Sequence, residues 1–154
     1  MNNLLYLFAF AVGLIIPLQA AVNNQLRISM SLSPVVTAFV SFLIGTITLL
    51  VIILVSGQKM DQLILQQVGW WKYTGGAMGA FFVFGSVILA PRIGMAGMVS
   101  LIIAGQMFSS LIFDKFGLFG LEIKEISWLR IIGALLVITG VVLVNFADQL
   151  FKSK

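Results

Sequence analysis

Apolar residues in this chain gather into five stretches, residues 4–22, 35–55, 73–90, 95–113 and 129–146, separated by short polar connections. None of these stretches contains Asp, Glu, Lys or Arg, apart from Arg130 at the mouth of the fifth. Each is close to the ~20 apolar residues that a helix needs to cross hydrocarbon. A segment that is apolar on every side has no face to offer water, so the pattern predicts five transmembrane helices. The fold class that follows is an all-α integral membrane protein, with residues 1–154 forming a single five-helix membrane domain.

Local signals mark the boundaries. Ser33-Pro34 opens the second helix with a side-chain cap and a proline at the first turn, where its missing N–H costs nothing. Trp70, Trp71 and Tyr73 around Lys72 place the headgroup level before the third helix, as Trp128 and Arg130 do before the fifth. Pro91-Arg92-Ile93-Gly94 predicts a very short turn and hence antiparallel third and fourth helices. The connection 56–68 mixes Lys59 and Asp61 with Leu63, Ile64 and Leu65; the connection 120–127 carries Glu122, Lys124 and Glu125. Both read as interfacial segments. The start Met1-Asn2-Asn3 lacks a basic n-region, so the first stretch reads as a retained helix despite Ala20-Ala21.

Composition agrees and narrows the chemistry. The chain is 60% hydrophobic and 9% charged, with mean hydropathy +1.13, against roughly 25% charged residues in soluble domains. It has no cysteine and no histidine, which removes disulfides, thiol nucleophiles, imidazole acid–base chemistry and the usual zinc ligands. With so few carboxylates besides, no nucleophile–base pair or metal set can be assembled, so neither an enzyme nor a metal or cofactor is expected. The net charge of +4 is spread in ones and twos, which fits headgroup anchoring and excludes a nucleic-acid surface.

Sorted across five crossings, the basic residues almost balance. Lys59, Lys72, Lys115, Lys124 and Arg130 fall on the side of the N-terminus, and Arg27, Arg92, Lys152 and Lys154 on the other. Orientation follows Lys/Arg asymmetry and not net charge, so this balance predicts insertion both ways up.

A few polar residues interrupt the apolar pattern. Pro17 leaves the carbonyl of Gly13 without its helical donor and predicts a kink. Gln19 and Asn23 follow, four residues apart, as the polar end of a stripe begun by Val12, Ile15 and Ile16. Gln106 stands deep inside the fourth stretch, with Ser109 and Ser110 a turn further on. Amides at such depth serve either as hydrogen-bonding glue between helices or as the lining of a polar cavity. Trp71 fits an interface anchor or an aromatic gate. Asp114 fits a helix-end carboxylate paired with Lys115 or Arg130, or a proton-coupling group.

Small residues mark helix contacts. Ala38, Ser41, Gly45 and Thr48 form a strip on the second helix, and Gly75, Gly76, Gly79 and Ala80 two overlapping pairs on the third. Gly133 and Gly140, two turns apart with Val137 and Val144, make a flat strip suited to a helix pairing with its own copy.

Pro17-x-Gln19-Ala20-x-x-Asn23, Ser33-Pro34, Ser41-Phe42-x-x-Gly45-Thr46, Trp70-Trp71 with Gly75-Gly76, Pro91-x-x-Gly94, Gly105-Gln106, Asp114-x-Phe116-Gly117 and Arg130-x-x-Gly133, in that order, resemble the bacterial YdcZ-like family. The resemblance covers essentially the whole chain. It implies a small-molecule exporter of the bacterial inner membrane within the drug/metabolite transporter superfamily. Larger members of that superfamily look like two five-helix halves fused as an inverted repeat, so this chain resembles one half of a ten-helix transporter. The small multidrug resistance proteins are antiparallel homodimers whose last helix pairs through two glycines spaced as Gly133 and Gly140 are. Their first helix carries an intramembrane Glu, whereas residues 4–22 hold no acid and offer Gln19 at the corresponding polar position. The charge balance and the resemblance together lead to an antiparallel homodimer working by alternating access, with Gln19, Asn23 and Gln106 of both copies expected around the substrate and Trp71 at one end; neutral amides favour a neutral, zwitterionic or weakly anionic solute. Two other functions compete: a subunit of a lipid or lipid-linked-sugar flippase, and a non-transporting accessory membrane subunit.

Overall fold

In the computed structural model, which describes residues 2–58 and 69–151, the apolar stretches are five long helices. They are α1 (Asn2–Ser29), α2 (Pro34–Ser56), α3 (Thr74–Ile93), α4 (Met95–Phe116) and α5 (Trp128–Phe151), with 3₁₀ turns at Trp70–Tyr73 and Leu118–Gly120. All five are long and apolar enough to cross a membrane. The expected interfacial residues Lys59, Asp61, Leu63, Ile64 and Leu65 lie outside the described residues, as do Lys152 and Lys154.

The helix ends follow from their capping chemistry. Ser33 holds an extended backbone and its Oγ accepts from the Val36 N–H at 3.3 Å, while Pro34 takes the first helical position. At the far end of α2, Gly57 adopts φ 66° and the Gln58 N–H reaches the Ile53 carbonyl, closing the turn in a left-handed cap. Ser127 caps α5 in the same manner as Ser33 caps α2, its Oγ accepting from the Arg130 N–H at 3.3 Å.

Two boundaries differ from the sequence expectation. Past residue 22, α1 runs on to Ser29, taking Asn23, Asn24 and Arg27 into the helix. Nothing between Gln19 and Ser29 opposes helix; it ends where Ser31 turns left-handed at φ 52° and the Leu32 N–H reaches back to the Arg27 carbonyl at 2.9 Å. Likewise α3 does not stop at Pro91 but includes Pro91 and Arg92. A proline in a last turn removes only one hydrogen bond, here to the Val87 carbonyl, and the break is made by Gly94 instead. At φ 78° and ψ 156°, Gly94 occupies a region open essentially to glycine alone.

The chain divides between Arg92 and Ile93 into two compact units. In the first, α1 contacts α2, and Phe42 of α2 lies against Gly79 of α3 so closely that a Cβ there would sit 3.0 Å from its ring. Beside that contact Val35, Ala38, Phe39, Phe42, Ala80, Phe81 and Phe84 enclose an apolar groove of about 410 Å³. In the second unit α4 packs along α5. Large apolar side chains such as Leu5, Phe8, Phe39, Leu54, Phe81, Phe108 and Leu136 are exposed along the helices, as lipid-facing surfaces require.

A polar link joins α4 to α5 through Asn145. The Asn145 amide donates to Ser100 Oγ at 2.9 Å and to the Val141 carbonyl at 2.9 Å, and Ser100 Oγ donates in turn to the Gly97 carbonyl. A Cβ at Gly97 would stand 2.8 Å from Asn145 Oδ1, so glycine is what lets the amide reach across. Gly97→Val is therefore expected to push Asn145 off Ser100 and destabilise the second unit by about 1–3 kcal/mol. Unfolding of the detergent-solubilised protein by added sodium dodecyl sulfate measures it; an unchanged midpoint contradicts the packing described.

Candidate functional site

On α1, residues Ile16, Ala20, Asn23 and Arg27 recur at helical spacing and turn inward, Ala20 and Asn23 being buried. Asn23 is only 5% exposed and its Nδ2 has no hydrogen-bond partner. Gln19 is exposed, displaced by about 40° around the helix from Asn23 at the usual 3.6 residues per turn. The expected shared face thus divides: Asn23 points into the protein and Gln19 out of it.

The second expected amide also points outward. On α4, Ala104, Met107, Phe108 and Leu111 meet Ala134, Val137 and Ile138 of α5. Gln106 lies nearly opposite Ala104 around the helix, so it faces away from α5 together with Ser109 and Ser110. It is exposed and makes no side-chain hydrogen bond among the described residues. Ser110 satisfies itself by donating to the Met107 carbonyl at 2.9 Å, which the longer amide of Gln106 does not do.

Asp114 and Arg130 close the end of α4 against the start of α5. Arg130 Nη1 stands 3.4 Å from Asp114 Oδ2, with the side chains 44% and 32% exposed respectively. This is the Arg130 pairing among the alternatives that the sequence left for Asp114; a pair so exposed contributes at most ~1 kcal/mol. The Lys124 N–H donates to the Asp114 carbonyl at 2.9 Å, folding the segment after Gly117 back over the helix end. Phe119 packs edge-on against Phe113 there, ring centroids 5.3 Å apart. A cavity of about 600 Å³ follows, lined by Leu111, Lys115, Ile123, Lys124, Glu125 and neighbouring residues of α5.

Trp71 sits in the 3₁₀ turn before α3, half exposed, with Lys72 Nζ 5.7 Å from its ring centroid and Gly69 against its edge. Gly133 and Gly140 lie beside the face of α5 that meets α4. At neither would an added Cβ meet any atom within 4 Å, so the strip is open in this chain.

The structure therefore holds Gln19, Asn23 and Trp71 in one unit and Gln106, Asp114, Gly133 and Gly140 in the other. Two polar residues escaped the sequence reading. Asn145 sits inside the fifth stretch; its signal was an Asn three residues after Val142 in an apolar run. Arg27 read only as a loop charge, yet its Nε is buried without a partner.

Residues 4–143 match the family model described as "Putative inner membrane exporter, YdcZ". The chain is 30% identical over 146 residues to the inner membrane protein YdcZ of Escherichia coli (strain K12), covering 92% of this chain and 93% of that protein. No solved structure matches the chain.

Proposed function

Since the chain belongs to the YdcZ family of inner membrane exporters and has five membrane-spanning helices, we propose that it exports a small neutral, zwitterionic or weakly anionic metabolite by alternating access. Its working form in this proposal is an antiparallel homodimer, ten helices around a site near the bilayer midplane, the two halves rocking against each other.

One observation carries the proposal: Gln106, near the middle of a membrane-spanning helix, is exposed and unbonded among the described residues. An amide in hydrocarbon with no partner is costly, each lost hydrogen bond amounting to several kcal/mol, so a second polar surface or an aqueous cavity must meet it. In this reading an inverted copy supplies both, Gln19 and Gln106 of each half lining a shared cavity with Trp71 near one end, while Asn23 stays on the packed side of α1. Neutral amides favour a solute without a lone positive charge, because no carboxylate in these spans would offset a cation's desolvation.

The open strip on α5 supports self-pairing. Among the described residues no atom lies within 4 Å of a Cβ added at Gly140, so a larger side chain there has room within the chain and should obstruct an external helix. Gly140→Leu is expected to cut cross-linked dimer severalfold with insertion and yield unchanged; undiminished cross-linking would remove α5 from the interface. The transport reading itself is tested by comparing extracellular metabolites of overexpressing and deletion strains. A solute that rises outside the first and accumulates inside the second supports export, and indistinguishable profiles under every growth condition tried contradict it.

A further inference from the structure

The inner face of α1 ends in donors that none of the described residues satisfies. Asn23 Nδ2 and Arg27 Nε are both buried and lack partners, and lie four residues apart, adjacent on one helix face. Arg27 makes one long hydrogen bond, Nη2 to Asn24 Oδ1 at 3.4 Å. The unit containing them has no carboxylate in α1, α2 or α3, and its lone acid, Asp61, follows the opposite end of α2. Within this unit the last turns of α1 and α3 carry Arg27 and Arg92, and neither helix contains an acid.

Two unpaired buried donors of the same kind, one of them cationic, are expensive in a low-dielectric setting. Arg27 as a whole is half-buried, but a buried donor left without a partner costs ~1–3 kcal/mol, and more where it belongs to a charged group. Such a cost persists where it is relieved by something that comes and goes. The complement of a guanidinium edge beside an amide N–H is an oxyanion, whose two oxygens accept from both at once. The first turn of α2, joined to α1 by residues 30–33, contributes the positive end of a helix dipole nearby, Ser33 and Pro34 defining it.

We propose that Asn23 and Arg27 form an oxyanion subsite, taking the carboxylate or phosphate group of a bound molecule. Of the solutes admitted by the exporter reading, this selects those with an anionic group. Only that identification of the occupant as the exported solute rests on the reading; the binding does not. The same chemistry is offered by a free carboxylate or phosphate and by a phospholipid headgroup.

The test uses the full chain purified in a maltoside detergent free of phospholipid, with thermal unfolding followed at constant ionic strength. Propionate, inorganic phosphate or added phosphatidylglycerol is titrated against chloride and tetraethylammonium controls. Saturable stabilisation by propionate or phosphate supports the subsite with a soluble occupant, and by phosphatidylglycerol alone supports it with a lipid occupant. Arg27→Lys keeps the charge and the topology-setting count but removes the Nε–H; it should weaken the binding about tenfold or more. Asn23→Asp places a carboxylate beside Arg27 inside the protein. It should abolish the oxyanion response while leaving the unliganded protein as stable as the parent or more so, an outcome a merely disrupted fold would not give. No saturable response to any of the three, or full response retained in both variants, overturns the proposal. Because no flux is measured, failure here leaves export intact, and failure of export leaves this binding intact.

Discussion

Gln106→Ala is expected to reduce export by at least tenfold in cells that make and insert the protein normally. The amide faces away from α5, is exposed within its chain and has no bond of its own, so its loss removes no intrachain contact. Alanine at that depth is better tolerated by lipid than glutamine, and it is the stronger helix former, so insertion and stability should hold or improve. A functional loss without a folding loss is the signature of a group that acts on a solute or on another copy. Loss of one buried hydrogen bond to a polar solute corresponds to roughly one to two orders of magnitude in rate when the bond is made in the transition state. Export rates from cells normalised to membrane-embedded protein measure it. Undiminished export would assign Gln106 to lipid-exposed tolerance and remove the observation on which the homodimeric site stands.

The helices were legible because a span needs only length and apolarity, both visible in one dimension. Their ends were less so. The sequence treats Pro91 as a stop, but a proline that late in a helix forfeits a single bond, and the backbone breaks at Gly94 where a left-handed conformation is required. Residues 23–29 look polar enough to be loop, yet Asn24, Gln25 and Arg27 are compatible with helix, and burial of Ala20 and Asn23 on one side holds the turn in place.

Site residues were legible by type and not by direction. Gln19 and Asn23 are four positions apart, and that spacing leaves them about 40° apart around α1, enough to put one inside and the other out at the margin of a packed face. Asn145 escaped notice at the end of a stretch, where an Asn looks like a helix terminus; only the approach allowed by Gly97 makes it a cross-link to Ser100. Arg27 illustrates the converse, since its charge suggested solvent and the burial of its Nε emerges only from packing.

Counted over five crossings of the sequence, the Lys and Arg residues divide five to four, and the proposed dual orientation rests on a bias of one charge being too small to fix topology. If both orientations form, every membrane contains the inverted partner that the open glycine strip and the outward amide call for. Expectation extends to the response: adding two lysines beside Arg27 should lock one orientation, and two beside Lys124 the other. Either locked form alone should lose export, and the two together should restore it.

The most direct measurement fuses the C-terminus in parallel to a fluorescent protein active only inside the cell and to a phosphatase active only outside it. Both reporters giving comparable signal, normalised to protein level, is the result predicted for a chain that inserts both ways. Signal from one reporter alone would contradict the inverted homodimer.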